Sequence, residues 1–105
     1  MLITHKSKNK NSRYNEWRDH EIEKGINWGG SVFQIDEKSR SLIGDRALKV
    51  VKRKLLNEPM SSFVWRTKMD TYYTFSPEEF LEFAEAVDSH FESIMIESWN
   101  GKDSL

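Results

Sequence analysis

One apolar stripe constrains this chain more than anything else in it. From Ser76 to Trp99 the sequence reads SPEEFLEFAEAVDSHFESIMIESW, and Phe80, Phe83, Ala84, Val87, Phe91, Ile94 and Met95 recur on one face at helical spacing. The start of that helix is marked. Ser76 suits the N-cap, Pro77 the first helical position, and Glu79 can complete a capping box. The spacing predicts a helix to about Trp99, with Asn100 and Gly101 closing it. Each large apolar side chain that becomes fully buried contributes roughly 1.5–3 kcal/mol. This stripe is therefore the largest single source of core, and the other elements must be able to cover it.

Four segments can do so. A first helix is predicted from about Ser12, as cap, to Lys24, with Gly25 ending it in the left-handed conformation; Tyr14, Trp17 and Ile22 give it a thin apolar stripe. Ile26–Trp28 and Ser31–Ile35 are short β-like runs around Gly29 and Gly30. Two adjacent glycines suit the two central positions of a tight hairpin, where both residues need positive φ. That register sends Ile26, Trp28, Phe33 and Ile35 to one face. A phosphate-binding loop would open from its glycines into a helix; these open into a strand. Asp36 can cap a second helix to about Asn57, with Leu42, Ile43, Ala47, Val50, Val51 and Leu55 in its stripe, Leu48 and Leu56 widening it, and Pro59 as the stop. Gly44 inside it suggests close approach by a neighbouring element. Phe63–Thr67 and Thr71–Phe75, aromatic and β-branched, predict a second hairpin turning at Lys68, Met69 and Asp70. The fold class expected is α+β: helix, hairpin, helix, hairpin, helix, with the two hairpins forming one small antiparallel sheet packed against the helices.

The chain has 105 residues, enough for a single modest core. Residues 1–12 are polar, basic and without period, and are expected to be a flexible basic arm preceding one domain over 13–105. With no cysteine, disulfides, thiolate chemistry and cysteine-ligated zinc are excluded. No apolar run approaches the roughly 18 residues of a membrane span, and residues 1–10 lack the apolar centre of a signal peptide. Charge is uneven: residues 1–13 carry four basic and no acidic side chains, while residues 76–105 carry eight acidic and one basic. Such asymmetry can steer a partner or be satisfied within one fold.

Nothing proposes a reaction. His5, His20 and His90 have no metal-ligand spacing, and no GxSxG elbow or phosphate loop is present. The acids of the last helix lie opposite its phenylalanines, where carboxylates are solvated; an acid–base pair needs one of them in an apolar pocket. The chain is expected not to be an enzyme and to need no cofactor or metal. The candidates are contact residues. Trp17 and Trp99, in polar surroundings, suit interface anchors. Arg46, Lys49 and Arg53 make the second helix basic, and Glu78, Glu82 and Glu85 make the third acidic. Nucleic acid is not the expected partner, because the aromatic residues interleave poorly with the basic ones.

The stretch EIEKGINWGGSVFQIDEKSRSLI, the strand FVWRT, a turn with Asp70, and TFSPEEFLEFAEAV with His90 carry a resemblance. Gly25, Trp28, Gly30, Phe33, Gln34, Asp36, Ser39 and Ile43, then Trp65, Lys102 and Leu105, stand where its pattern expects them. Over residues 13–105 the chain resembles a domain of unknown function found in bacteriophage and prophage tail proteins, often at the C-terminus of a longer tail-associated chain. The resemblance implies a tail-associated structural or assembly protein that binds phage tail or tail-fibre proteins, in the host cytoplasm during assembly, with its presence in the virion left open. It carries no catalytic residues across. Two alternatives stand beside it: a small phage-encoded inhibitor of a host defence or regulatory protein, its acidic helix occupying a phosphate-binding groove, and a nucleic-acid-binding module using the arm and the second helix. The oligomeric state is left open.

Overall fold

The structure, a computed structural model, describes residues 2–103, with side chains described from Asn11 onward. The protein is α+β, with three helices and two small antiparallel two-stranded sheets. In chain order these are α1 (Leu2–Lys24), β1 (Ile26–Trp28), β2 (Ser31–Phe33), α2 (Glu37–Leu55), β3 (Phe63–Arg66), β4 (Tyr72–Phe75) and α3 (Pro77–Asp103).

The helix α1 begins well before Ser12, which lies inside it rather than capping it. Residues 2–24 contain neither glycine nor proline, so no residue in that span breaks a helix. The basic arm expected over residues 1–12 falls, for Met1 and for the side chains of residues 2–10, outside the described residues, as does Leu105. The other end of α1 is fixed as its sequence suggests. Gly25 takes φ +78° and donates its N–H to the Ile22 carbonyl at 3.1 Å.

The first ribbon pairs Ile26 with Phe33, Asn27 with Val32 and Trp28 with Ser31, which leaves Gly29 and Gly30 as the turn, at φ +55° and +81°. The second pairs Phe63 with Phe75, Val64 with Thr74, Trp65 with Tyr73 and Arg66 with Tyr72. Its turn has no glycine. Asp70 takes the left-handed position at φ +63°, with Arg66 Nε donating to its Oδ1 at 3.1 Å and the Thr67 and Thr71 hydroxyls 2.6 Å apart beneath it. The single sheet expected from the two hairpins is not formed. The strands are three or four residues long, and the ribbons meet where the turn of one touches the edge of the other: the Lys68 N–H donates to the Val32 carbonyl at 2.8 Å.

Asp36 caps α2, accepting from the Ser39 N–H at 2.8 Å. A hydrogen bond from the Ser39 side chain, together with this one from its backbone, holds the carboxyl below the ordinary value of 3.8. The helix ends at Leu55 in a Schellman turn, before Pro59 is reached. Asn57 takes φ +55°, its N–H reaches the Lys54 carbonyl at 3.2 Å, and the Glu58 N–H reaches the Arg53 carbonyl at 2.8 Å.

Phe33, Ile35, Ile43, Phe75, Phe80, Phe83, Val87 and Ile94 form the buried core, with Trp17, Ile22, Trp28, Phe63, Trp65 and Tyr73 packed around it. Phe83 is central: its ring lies 4.8 Å from that of Phe33, 4.9 Å from Phe75, 5.7 Å from Phe80 and 5.6 Å from Trp28. The expected stripe of α2 divides. Ile43 and Val50 face the core, whereas Leu42, Leu48, Val51, Leu55 and Leu56 are exposed. Gly44 is exposed too, and a Cβ there would meet nothing within 4 Å, so the close approach expected at Gly44 is not made among the described residues. The third helix continues through Gly101 to Asp103 instead of stopping at Asn100. The ring of Tyr14 from α1 packs where a Cβ on Gly101 would sit, so this glycine admits the neighbouring helix.

Candidate functional site

The residues expected to contact a partner are distributed over three faces. Trp17 is half-buried and packs against the core, while Trp99, near the end of α3, is 51% exposed. On α2, the Arg46 guanidinium lies over the rings of Phe63 at 4.8 Å and Trp65 at 5.9 Å, and so ties α2 to the second ribbon. Lys49 is exposed; Arg53 is half-buried, 3.9 Å from Glu58. Glu78 lies 3.5 Å from Lys54 of α2, and Glu82 and Glu85 are exposed along α3. Through Lys54, beside the basic candidates, α2 reaches the acidic candidate Glu78, but both side chains remain largely solvated and the pair contributes little. Farther along α3, Ser89, Glu92, Ser93, Ile96, Glu97 and Asn100 line a shallow groove of about 420 Å³.

A polar junction that sequence reasoning missed joins both ribbons to α3. Ser76 accepts from the Glu79 N–H at 3.1 Å, as its capping role requires. The Glu79 carboxylate is committed elsewhere: its Oε2 accepts from the Tyr73 hydroxyl at 2.6 Å and from Trp28 Nε1 at 3.1 Å. One oxygen on the first turn of α3 therefore holds the aromatic side chain of each ribbon. Gly29 completes the junction, because a Cβ there would collide with the Tyr73 ring. The capping-box signal identified Glu79 but not this use, since its partner Trp28 is distant in sequence.

The hydrogen bond to Glu79 raises the Tyr73 hydroxyl above its ordinary value of 10.0, because ionisation would both lose the bond and set two negative charges together. A proton held more tightly in the folded state stabilises the fold below the unfolded pKa, and that contribution is lost as pH rises through the folded value. Thermal melting between about pH 9 and about pH 11 should therefore show the parent protein losing stability more steeply than Tyr73→Phe. Parallel slopes would show that the bond to Glu79 does not form.

Tyr73 and Trp28 both donate into one carboxylate oxygen, so the arrangement tethers the two ribbons to α3. Among the described residues no cluster of three histidine or acidic side chains is placed to hold a metal ion, and no helix is long and apolar enough to cross a membrane. No curated protein and no solved structure matches the chain. A family model described as a domain of unknown function (DUF4376) matches residues 5–105, and the chain therefore belongs to that family.

Proposed function

We propose that this chain is a phage or prophage tail-associated structural or assembly protein that acts by binding other proteins. Its order is then helix, hairpin, helix, hairpin, helix, with the ribbons as a packed layer that fixes the helices and leaves their outer faces for contacts. The observation that carries this reading is the number of large apolar side chains left in solvent on regular elements: Leu48, Val51 and Leu55 on α2, Val64 and Tyr72 on the second ribbon, Ile96 and Trp99 on α3. Rows of this kind mark interaction surfaces. The sequence pattern around Trp28, Gly30, Phe33 and the TFSPEEF start supports the tail assignment. The chain works in the host cytoplasm during assembly, with tail or tail-fibre proteins as partners. Affinity purification from infected or induced cells should recover tail proteins, and deleting the gene should leave tails defective. Normal tails and no tail partner would sink the proposal.

A second reading is favoured by one observation. Glu78, Glu82, Glu85, Asp88 and Glu92 are all exposed along α3. A row of carboxylates can occupy a host protein's phosphate-binding groove, as an inhibitor would. Recovery of a host nucleic-acid-binding protein, released by charge reversal at Glu82 and Glu85, would replace the tail reading with this one.

A further inference from the structure

The outer face of α2 carries a pattern that matches itself when reversed. Gly44, Leu48, Val51 and Leu55 are spaced four, three and four residues apart, the alternation of a coiled-coil seam. All four are exposed: Leu48 by 54%, Val51 by 40% and Leu55 by 77%, with open space where a Gly44 Cβ would be. They lie about a third of a turn around the helix from the buried Ile43 and Val50, and among the described residues they stay uncovered.

We propose that α2 pairs with α2 of a second copy of this chain, antiparallel, about a two-fold axis between Leu48 and Val51. In that register Leu55 of each copy fills the space over Gly44 of the other, and Leu48 packs on Val51. Every layer then sets a larger side chain against a smaller one. The flank agrees with the seam. Asp45 and Lys52, both exposed, lie on the same side of the stripe, and in antiparallel helices that side of one copy faces the same side of the other. Asp45 of each copy thus lies beside Lys52 of its mate, two complementary pairs. The opposite flank brings the half-buried Ala47 beside Lys54, so no like charges are opposed there. A parallel pairing would set Gly44 on Gly44, leaving a gap, and would turn the flank with Asp45 and Lys52 away from that of the mate, losing both charge pairs. The match is therefore specific to one orientation, as a two-fold interface requires. The inference stands apart from the tail-protein reading and survives its failure.

The contact covers about three helical turns and is smaller than the roughly 1,200–2,000 Å² of standard stable interfaces, so the dimer is weak. Sedimentation of the full chain from about 1 µM to about 1 mM should show reversible dimerisation. Leu48→Glu, at an exposed position, should abolish it while leaving the melting temperature of dilute protein unchanged. Asp45→Lys should weaken it at least about tenfold, and adding Lys52→Asp should restore it. Orientation is read by cross-linking in this cysteine-free chain. Leu48→Cys mixed with Val51→Cys should form a disulfide readily, whereas Gly44→Cys alone should not, because the two copies of residue 44 lie about 16 Å apart along the axis. A monomer throughout the range, rapid self-linking of Gly44→Cys, or no restoration by the charge swap would each overturn the proposal. So would finding this face occupied only by another protein.

Discussion

Phe83→Ala should cost about 3–5 kcal/mol, the range for removing a buried aromatic ring. A fold of this size has about 5–15 kcal/mol in total. The upper end is expected because the ring is fully buried and touches four other rings, those of Phe33, Phe75, Phe80 and Trp28, drawn from α3 and both ribbons. Those neighbours cannot all move into the space. Trp28 is tied to Glu79 and Phe33 lies in a paired strand, so a cavity remains and its cost adds to the lost transfer term. Denaturant unfolding followed by circular dichroism measures the effect. Phe91→Ala is the comparison. That ring is only half-buried, with the Arg40 guanidinium 3.6 Å from its centre, and its loss should cost clearly less. Equal costs at the two positions would mean that the aromatic cluster is not the centre of the fold.

Local chemistry made much of this fold legible, and long-range choices made the rest illegible. Ser76 with Pro77, Asp36 before α2, and the paired glycines before Ser31 each answer to a backbone requirement met within a few residues, so the sequence alone exposes them. Which stripe of α2 faces inward is different. Ile43 and Val50 on one side, and Leu48, Val51 and Leu55 on the other, both repeat at helical spacing, and periodicity cannot rank two apolar faces. The Glu79 carboxylate was hidden for a related reason. A capping box and an acceptor for distant donors use the same residue at the same position, and Trp28 reaches it only once the ribbons have packed. Of the contact candidates, Arg46 reads only as part of a basic helix until Phe63 and Trp65 are seen beneath it. Trp17 has polar neighbours in sequence, and its packing on the core becomes visible only once α1 is laid against it.

Gly25→Ala should be the most damaging change of a single methyl group. Two separate costs fall on it. Its φ of +78° belongs to the left-handed region, which costs a residue with a Cβ roughly 1–2 kcal/mol. The added Cβ would also run into the Phe33 carbonyl oxygen. That atom is backbone, held in the ribbon by the pairing of Phe33 with Ile26, and Phe33 is itself fully buried. No rotamer change can relieve the collision, so either α1 must swing away or the ribbon must open, and the total should exceed the conformational cost alone. Gly30→Ala separates the two contributions. Gly30 has nearly the same φ, +81°, but nothing within 4 Å of the Cβ position, so it should lose only the conformational part. The difference in unfolding free energy between the two variants therefore measures how rigidly the end of α1 is set against Phe33. If they are equally destabilised, α1 is free to move at Gly25, and the packing of Trp17 and Ile22 on the core is not what fixes the helix.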